Sequence, residues 1–179
     1  MRAGIGMFLL QAARLGATGT HDGGECRRHA LDMLHSFHGQ NPMSMVYLTN
    51  MAGGGGEHSS WQIFHNWFGQ SGSAYSRSRF IGKPASVAEP HYPYFTGADN
   101  HGVRDDAASA LGPAPGFVPG GPNQEYTGDA IPPAGGRHPA RFYRDWNDQR
   151  AWTARTWEIT ETSIGYQGPY VALVAAFAQ

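Results

Sequence analysis

The chain has 179 residues and a formal net charge of -1, a length that fits one domain with a sizeable core. It has no basic run or stripe, which argues against a nucleic-acid partner, and no apolar run long enough to span a membrane. Cys26 is the only cysteine, so an intrachain disulfide and a cysteine metal site are both excluded.

The opening MRAGIGMFLLQAARLG resembles a signal peptide briefly. Its apolar core is short, and no clean small-residue cleavage site follows before His21. Ile5, Phe8, Leu9, Ala12 and Ala13 instead recur near helical spacing, which predicts a helix over Ala3 to Leu15 that stops at Gly16. A turn at His21 to Glu25 leads to a second helix, Glu25 to His38. Cys26, Ala30, Leu31, Met33, Leu34 and Phe37 form its apolar face. Gly39 ends it and Pro42 prevents continuation.

Asn41 to Asn50 reads as an extended segment leaving a turn, and Gly53 to Ser60 as a flexible loop. Ser59 or Ser60 is placed to cap a short helix through Trp61, Ile63, Phe64 and Trp67. The long middle, Gln70 to Ala140, is rich in Gly, Pro, Ser and Asp, and GPAPGFVPGGPN within it cannot hold a regular helix. Its aromatics, Tyr75, Phe80, Tyr92, Tyr94, Phe95 and Phe117, argue for an ordered loop over a helical base. Ala151 to Arg155 reads as a short turn. A last helix carries Tyr166, Tyr170, Val171, Leu173, Val174 and Phe177, with Pro169 either starting its regular part or kinking it.

Several chemistries lack their residues. Glu57, His58 and His65 are close in sequence, but HExxH is absent and the two histidines are seven apart. No GxSxG elbow occurs, and GGGGEH and GGPN both lack the Lys-Ser/Thr ending of a phosphate loop. The stretch WEITETSIGYQGPYV, Trp157 to Val171, sets Glu158 and Glu161 beside Trp157 and an apolar run. Burial there would favour the protonated acid, which can then donate its proton. Capping of a helix N-terminus is the plainer role for the same acids. Asp145, Asp148, Glu158 and Glu161 also cluster among Trp146, Trp152 and Trp157. Carboxylates among aromatics suit glycoside hydrolysis, where an acid protonates the leaving oxygen and flat rings hold sugars.

In their order, these segments resemble the C-terminal part of a glycoside hydrolase family 9 catalytic domain. ALDMLHSFHGQNPMSMVYLTN, Ala30 to Asn50, is similar to the family's helix, its GxNP turn and the strand-like segment after it. GPAPGFVPGGPN, Gly112 to Asn123, resembles its PG…GGPN loop. DWNDQRAW with TWEITETSIGYQGPYVALVA resembles the closing segment that carries the general acid. The family pattern Asn-Glu-Val-Ala-Ile-Asp-Tyr-Asn-Ala-Pro, laid on Thr160 to Pro169, matches Glu161, Ile164, Tyr166 and Pro169 without a gap. Glu161 is therefore the implied acid. Glu158 is the fallback, because Asp148-x-Arg150 then lies nearer the family's usual distance. His65 looks like the histidine of the family's His-x-Arg motif, with Trp67 where the arginine would stand.

The resemblance implies an all-α fold, a partial (α/α)6 barrel with long ordered loops. It implies that residues 1–179 are the C-terminal part of one catalytic domain, truncated at its N-terminus. The paired aspartates of the family, one of them the general base, belong to an upstream motif that this chain lacks. The implied activity is inverting hydrolysis of β-1,4-glucosidic bonds in cellulose or a related β-glucan, with this chain alone inactive. His65, Trp67, Trp157, Asp148 and Arg150 are the implied sugar contacts. The implied partners are a β-glucan and the upstream part of the same domain, with neither nucleic acid nor membrane, and the implied location is secreted or periplasmic. No cofactor is expected. Calcium occurs in relatives, but no complete oxygen-ligand loop is visible here. A noncatalytic carbohydrate-binding or interaction module is the alternative, and a β-sandwich with an exposed aromatic strip would be its mark.

Overall fold

A computed structural model describes residues 2–63, 113–126, 139–145, 155 and 157–178. Helix α1 (Arg2–Leu15) and helix α2 (Gly23–His35) form an antiparallel hairpin. Its sense is fixed by Gly23 lying against Ala13 and Gly6 lying against Met33. Asp22 starts α2 with a capping box. Its carboxylate accepts the Glu25 backbone N–H at 2.6 Å, and the Glu25 carboxylate accepts the Asp22 N–H at 3.1 Å. The helix therefore begins two residues before the position read from the sequence. It also ends earlier, because Phe37 and His38 bond three residues back and tighten the chain into a turn.

Asn41 shapes the turn that follows. Its Nδ2 donates to the carbonyls of Ser36 (2.8 Å) and Met45 (2.7 Å). Its Oδ1 accepts the N–H groups of Met43 (3.0 Å) and Met45 (3.3 Å). One amide side chain so replaces the backbone pairing that Pro42, with no N–H, cannot supply. The chain leaves as strand β1 (Val46–Thr49), which pairs in parallel with the two-residue strand β2 (Ser59–Ser60).

That pairing corrects the sequence reading at Ser59 and Ser60, which do not cap a helix. The Ser59 hydroxyl accepts the Met51 N–H at 3.0 Å. Ser60 is fully buried with its hydroxyl 3.0 Å from the Tyr143 hydroxyl. Both side chains are committed to distant partners. The connection between the strands also holds a 3-10 turn, Ala52–Gly54.

After the short helix α3 (Trp157–Thr160), helix α4 (Ile164–Phe177) closes the described chain, with Pro169 inside it. It runs antiparallel to α2: Arg27 sits over the Phe177 ring, and Phe37 and His38 meet Tyr170. Gly6 brings α1 against α4. A Cβ at that position would stand 2.8 Å from Leu173 Cδ2, so glycine allows the helices to close over Leu173, which is fully buried. Ala30, Leu34, Phe37, Leu48, Val118 and Ile159 join Leu173 in one core. The protein is thus helix-rich with a small parallel sheet, so the all-α expectation holds only in part. Among the described residues no helix is long and apolar enough to cross a membrane.

Candidate functional site

Hydrogen bonds knit the loops above this base into a layer. Thr49 makes four hydrogen bonds that join β1 to the 113–117 segment, one of them through its carbonyl, which accepts the Gly116 N–H at 2.8 Å. Its hydroxyl donates to the Ala114 carbonyl (2.6 Å) and accepts the Phe117 N–H (3.0 Å), and its own N–H donates to the Phe117 carbonyl (2.8 Å). Asn50 Nδ2 donates to the Pro113 carbonyl at 2.7 Å. The PGGPN motif then passes directly against the segment that carries the two candidate acids.

Both glycines of that motif have a physical reason. A Cβ on Gly120 would lie 3.0 Å from the Ile159 carbonyl oxygen and 3.3 Å from that of Glu161. Gly121 has φ +87°, a left-handed conformation that favours glycine, and its N–H donates to the Ile159 carbonyl at 2.7 Å. Asn123 Nδ2 donates to the Glu158 carbonyl at 3.1 Å. Gln167 on α4 donates to the Val118 carbonyl (3.2 Å) and to the Thr162 hydroxyl (3.1 Å). The backbone from Glu158 to Thr162 is therefore held on several sides.

The two glutamates differ in setting. Glu158 forms an ion pair with Arg155, and its side chain is only 11 % exposed. The Arg155 guanidinium also lies 5.3 Å from the centre of the Trp157 ring. Glu161 is half-buried where the chain leaves α3, two residues before Ser163 opens α4. Between the glutamates, Ile159 and Thr160 are fully buried and anchor the segment. A cavity of about 410 Å³ opens beside the same loop, lined mostly by apolar groups that include Ile5, Phe8, Phe37, Gly120 and Tyr166, with Arg2 also lining it.

A second carboxylate is bound into the layer. Asp145 accepts the backbone N–H groups of Trp61 (2.8 Å) and Gln62 (2.9 Å), one on each oxygen. Burial pushes its pKa up, and these two N–H groups pull against that shift. The neighbouring Tyr143 is buried, which holds its phenol protonated, and its ring meets Tyr47 edge-on at 5.2 Å. Burial also raises the Tyr47 phenol to about 12. Among the described residues its hydroxyl has no hydrogen-bond partner.

Of the residues singled out from the sequence, Trp157, Glu158 and Glu161 come together on one short segment. His65, Trp67, Asp148 and Arg150 lie outside the described residues, as do Tyr75, Phe80, Tyr92, Tyr94 and Phe95. Sequence reasoning missed the supports: Asn123, Gln167 and the Asp145 clamp. Asn123 sits in the recognisable GGPN motif, so a signal existed for it, whereas Asp145 and Trp61 are joined only by the fold. Among the described residues no three His, Cys, Asp or Glu side chains are grouped to hold a metal ion.

No curated protein and no solved structure matches the chain. The profile of glycosyl hydrolase family 9 matches residues 3–174, nearly its whole length. A match over that length makes the chain a glycosidase by family: it belongs to glycosyl hydrolase family 9, whose substrates are polysaccharides.

Proposed function

We propose that this chain is the C-terminal part of an inverting β-1,4-glucanase domain in which Glu161 is the general acid. The observation that supports the reading is the close packing of Gly120 and Gly121 on the Ile159–Glu161 backbone, which holds the segment that carries Glu161. Register carries the role to Glu161, because the family pattern laid on Thr160 to Pro169 matches Glu161, Ile164, Tyr166 and Pro169 without a gap, and Glu158 is engaged in an ion pair with Arg155. Helices under a loop layer, rather than a β-sandwich, favour an enzyme over a noncatalytic carbohydrate-binding module.

In this mechanism Glu161 protonates the leaving glycosidic oxygen. An aspartate of the upstream part of the domain activates water on the opposite face of the ring. Such carboxyl pairs stand about 6.5–9.5 Å apart to admit that water. His65, Trp67, Trp157, Asp148 and Arg150 are assigned to sugar contact. The enzyme acts on cellulose or a related β-glucan outside the cell or in the periplasm.

The partial (α/α)6 barrel belongs to the same proposal. Phe8 on α1 is 78 % exposed and Ile164 on α4 is 90 % exposed, with Ile5, Leu15 and Val171 also uncovered. Apolar groups spaced along two packed helices are a face that further helices of a barrel would cover. The test is reducing-sugar release. The purified chain leaves cello-oligosaccharides intact, and the protein with its aspartate-bearing upstream portion restored hydrolyses them. Turnover that co-purifies with the chain alone would overturn the division of acid and base between two parts.

A further inference from the structure

We infer that Trp61 is a second carbohydrate-contact point, a stacking platform for a β-linked glucosyl ring, and that Asp145 is the residue that positions it. The inference rests on the glucanase reading above and adds a subsite to it. Trp61 is 41 % exposed, although the residue before it, Ser60, is fully buried. An exposed indole alone is ordinary. What sets this one apart is the backbone beneath it. Asp145 spends both carboxylate oxygens on the consecutive N–H groups of Trp61 and Gln62. Ser60 is tied to the Tyr143 hydroxyl, and its carbonyl accepts the Asn50 N–H at 2.9 Å. A large flat ring is thus presented from a backbone fixed on both sides.

Ligand chemistry follows from that arrangement. A β-linked glucosyl unit carries its hydroxyls around the rim and axial C–H groups on its faces, so each face is apolar and flat. A rigid indole offers a matching surface at small entropic cost. Asn50, Thr49, the 113–121 segment and the Ile159–Glu161 backbone form one continuous set of hydrogen bonds and close contacts. Trp61 is thereby fixed relative to the acid-bearing segment, as a subsite for an extended chain requires. Asp145 does not touch the sugar. It acts through the position of Trp61.

The experiment is calorimetric titration of the chain with cellohexaose, with the fold of each variant checked by circular dichroism. Trp61→Ala should weaken binding by about tenfold or more, the scale of an aromatic anchor, while Trp61→Phe retains most of it. Asp145→Asn should fall between them and speed amide hydrogen exchange at Trp61 and Gln62. If Trp61→Ala binds as the wild type does, the platform is overturned and the family-based glucanase reading stands. Equal losses in Trp61→Ala and Trp61→Phe would overturn it as well, because a flat ring would then not be the cause. Unchanged binding in Asp145→Asn would overturn the positioning role. A wild-type chain that binds no cellohexaose would contradict both the platform and the glucan specificity beneath it.

Discussion

The helical base and the loop layer above it are stabilised in different ways. In the base, α1, α2 and α4 meet through apolar side chains, and the closest approach is made by removing a side chain altogether, at Gly6 over Leu173. In the layer, side chains bond to distant backbone. Thr49, Asn50, Asn123, Asp145 and Gln167 each hold a segment that has no regular partner. Burial is non-directional and fixes that the helices pack. Hydrogen bonds are directional and fix where a particular atom stands. The acid-bearing segment lies where the two meet. Ile159 is buried in the core, while its carbonyl is gripped by Gly121.

This contrast can be broken at three points. Leu173→Ala attacks the base by opening a cavity between α1 and α4, and should cost about 2–5 kcal/mol in urea unfolding. A loss under about 1 kcal/mol would show that the helices do not depend on that contact. Gly120→Ala attacks the layer. The new methyl meets the Ile159 carbonyl and forces the loop or the acid-bearing segment to move, at about 1–3 kcal/mol. In the protein with its upstream portion restored, Gly120→Ala should lower kcat by more than its loss of stability explains, and Leu173→Ala should leave the kcat of the folded fraction near wild type. Equal effects on kcat would erase the distinction between the two regions. Tyr47→Phe acts at the seam and should change least. It removes a buried hydroxyl that has no partner among the described residues, so stability should hold or rise by about 1 kcal/mol. A clear fall in melting temperature would mean that the hydroxyl is bonded.

The same division explains what was legible in the sequence. The helices α1, α2 and α4 follow from apolar spacing, with glycine marking the ends of α1 and α2, because periodicity is local; the Asp22–Glu25 capping box was passed over as a turn, so the start of α2 was read two residues late. The family and its Gly-Gly-Pro-Asn motif were also legible, through the order of motifs along the chain. The reason for those glycines was not, since it lies in a carbonyl some 39 residues away in the chain. Ser59 and Ser60 misled because a serine before an apolar run looks like a cap. Their bonds to Met51 and Tyr143, and the parallel pairing with β1, are set by tertiary structure. Asp145 read as one acid in a cluster, and only the fold shows that it grips the backbone of Trp61, 84 residues earlier in the chain.

The central claim is that Glu161 donates the proton while Glu158 is held by Arg155. Comparing Glu161→Gln and Glu158→Gln, each in the protein with its upstream portion restored, tests it most directly. Glutamine keeps the shape of either side chain and removes its acidity. Hydrolysis of an unactivated glucan needs a proton at the leaving oxygen, a contribution of about 10²–10⁴-fold, whereas a β-glycosyl fluoride leaves without one. Glu161→Gln should lose that factor in kcat on the glucan and keep most of its activity on the fluoride, and Glu158→Gln should act mildly on both. Selective loss on the glucan in Glu158→Gln, with Glu161→Gln near wild type, would contradict the assignment and make Glu158 the acid.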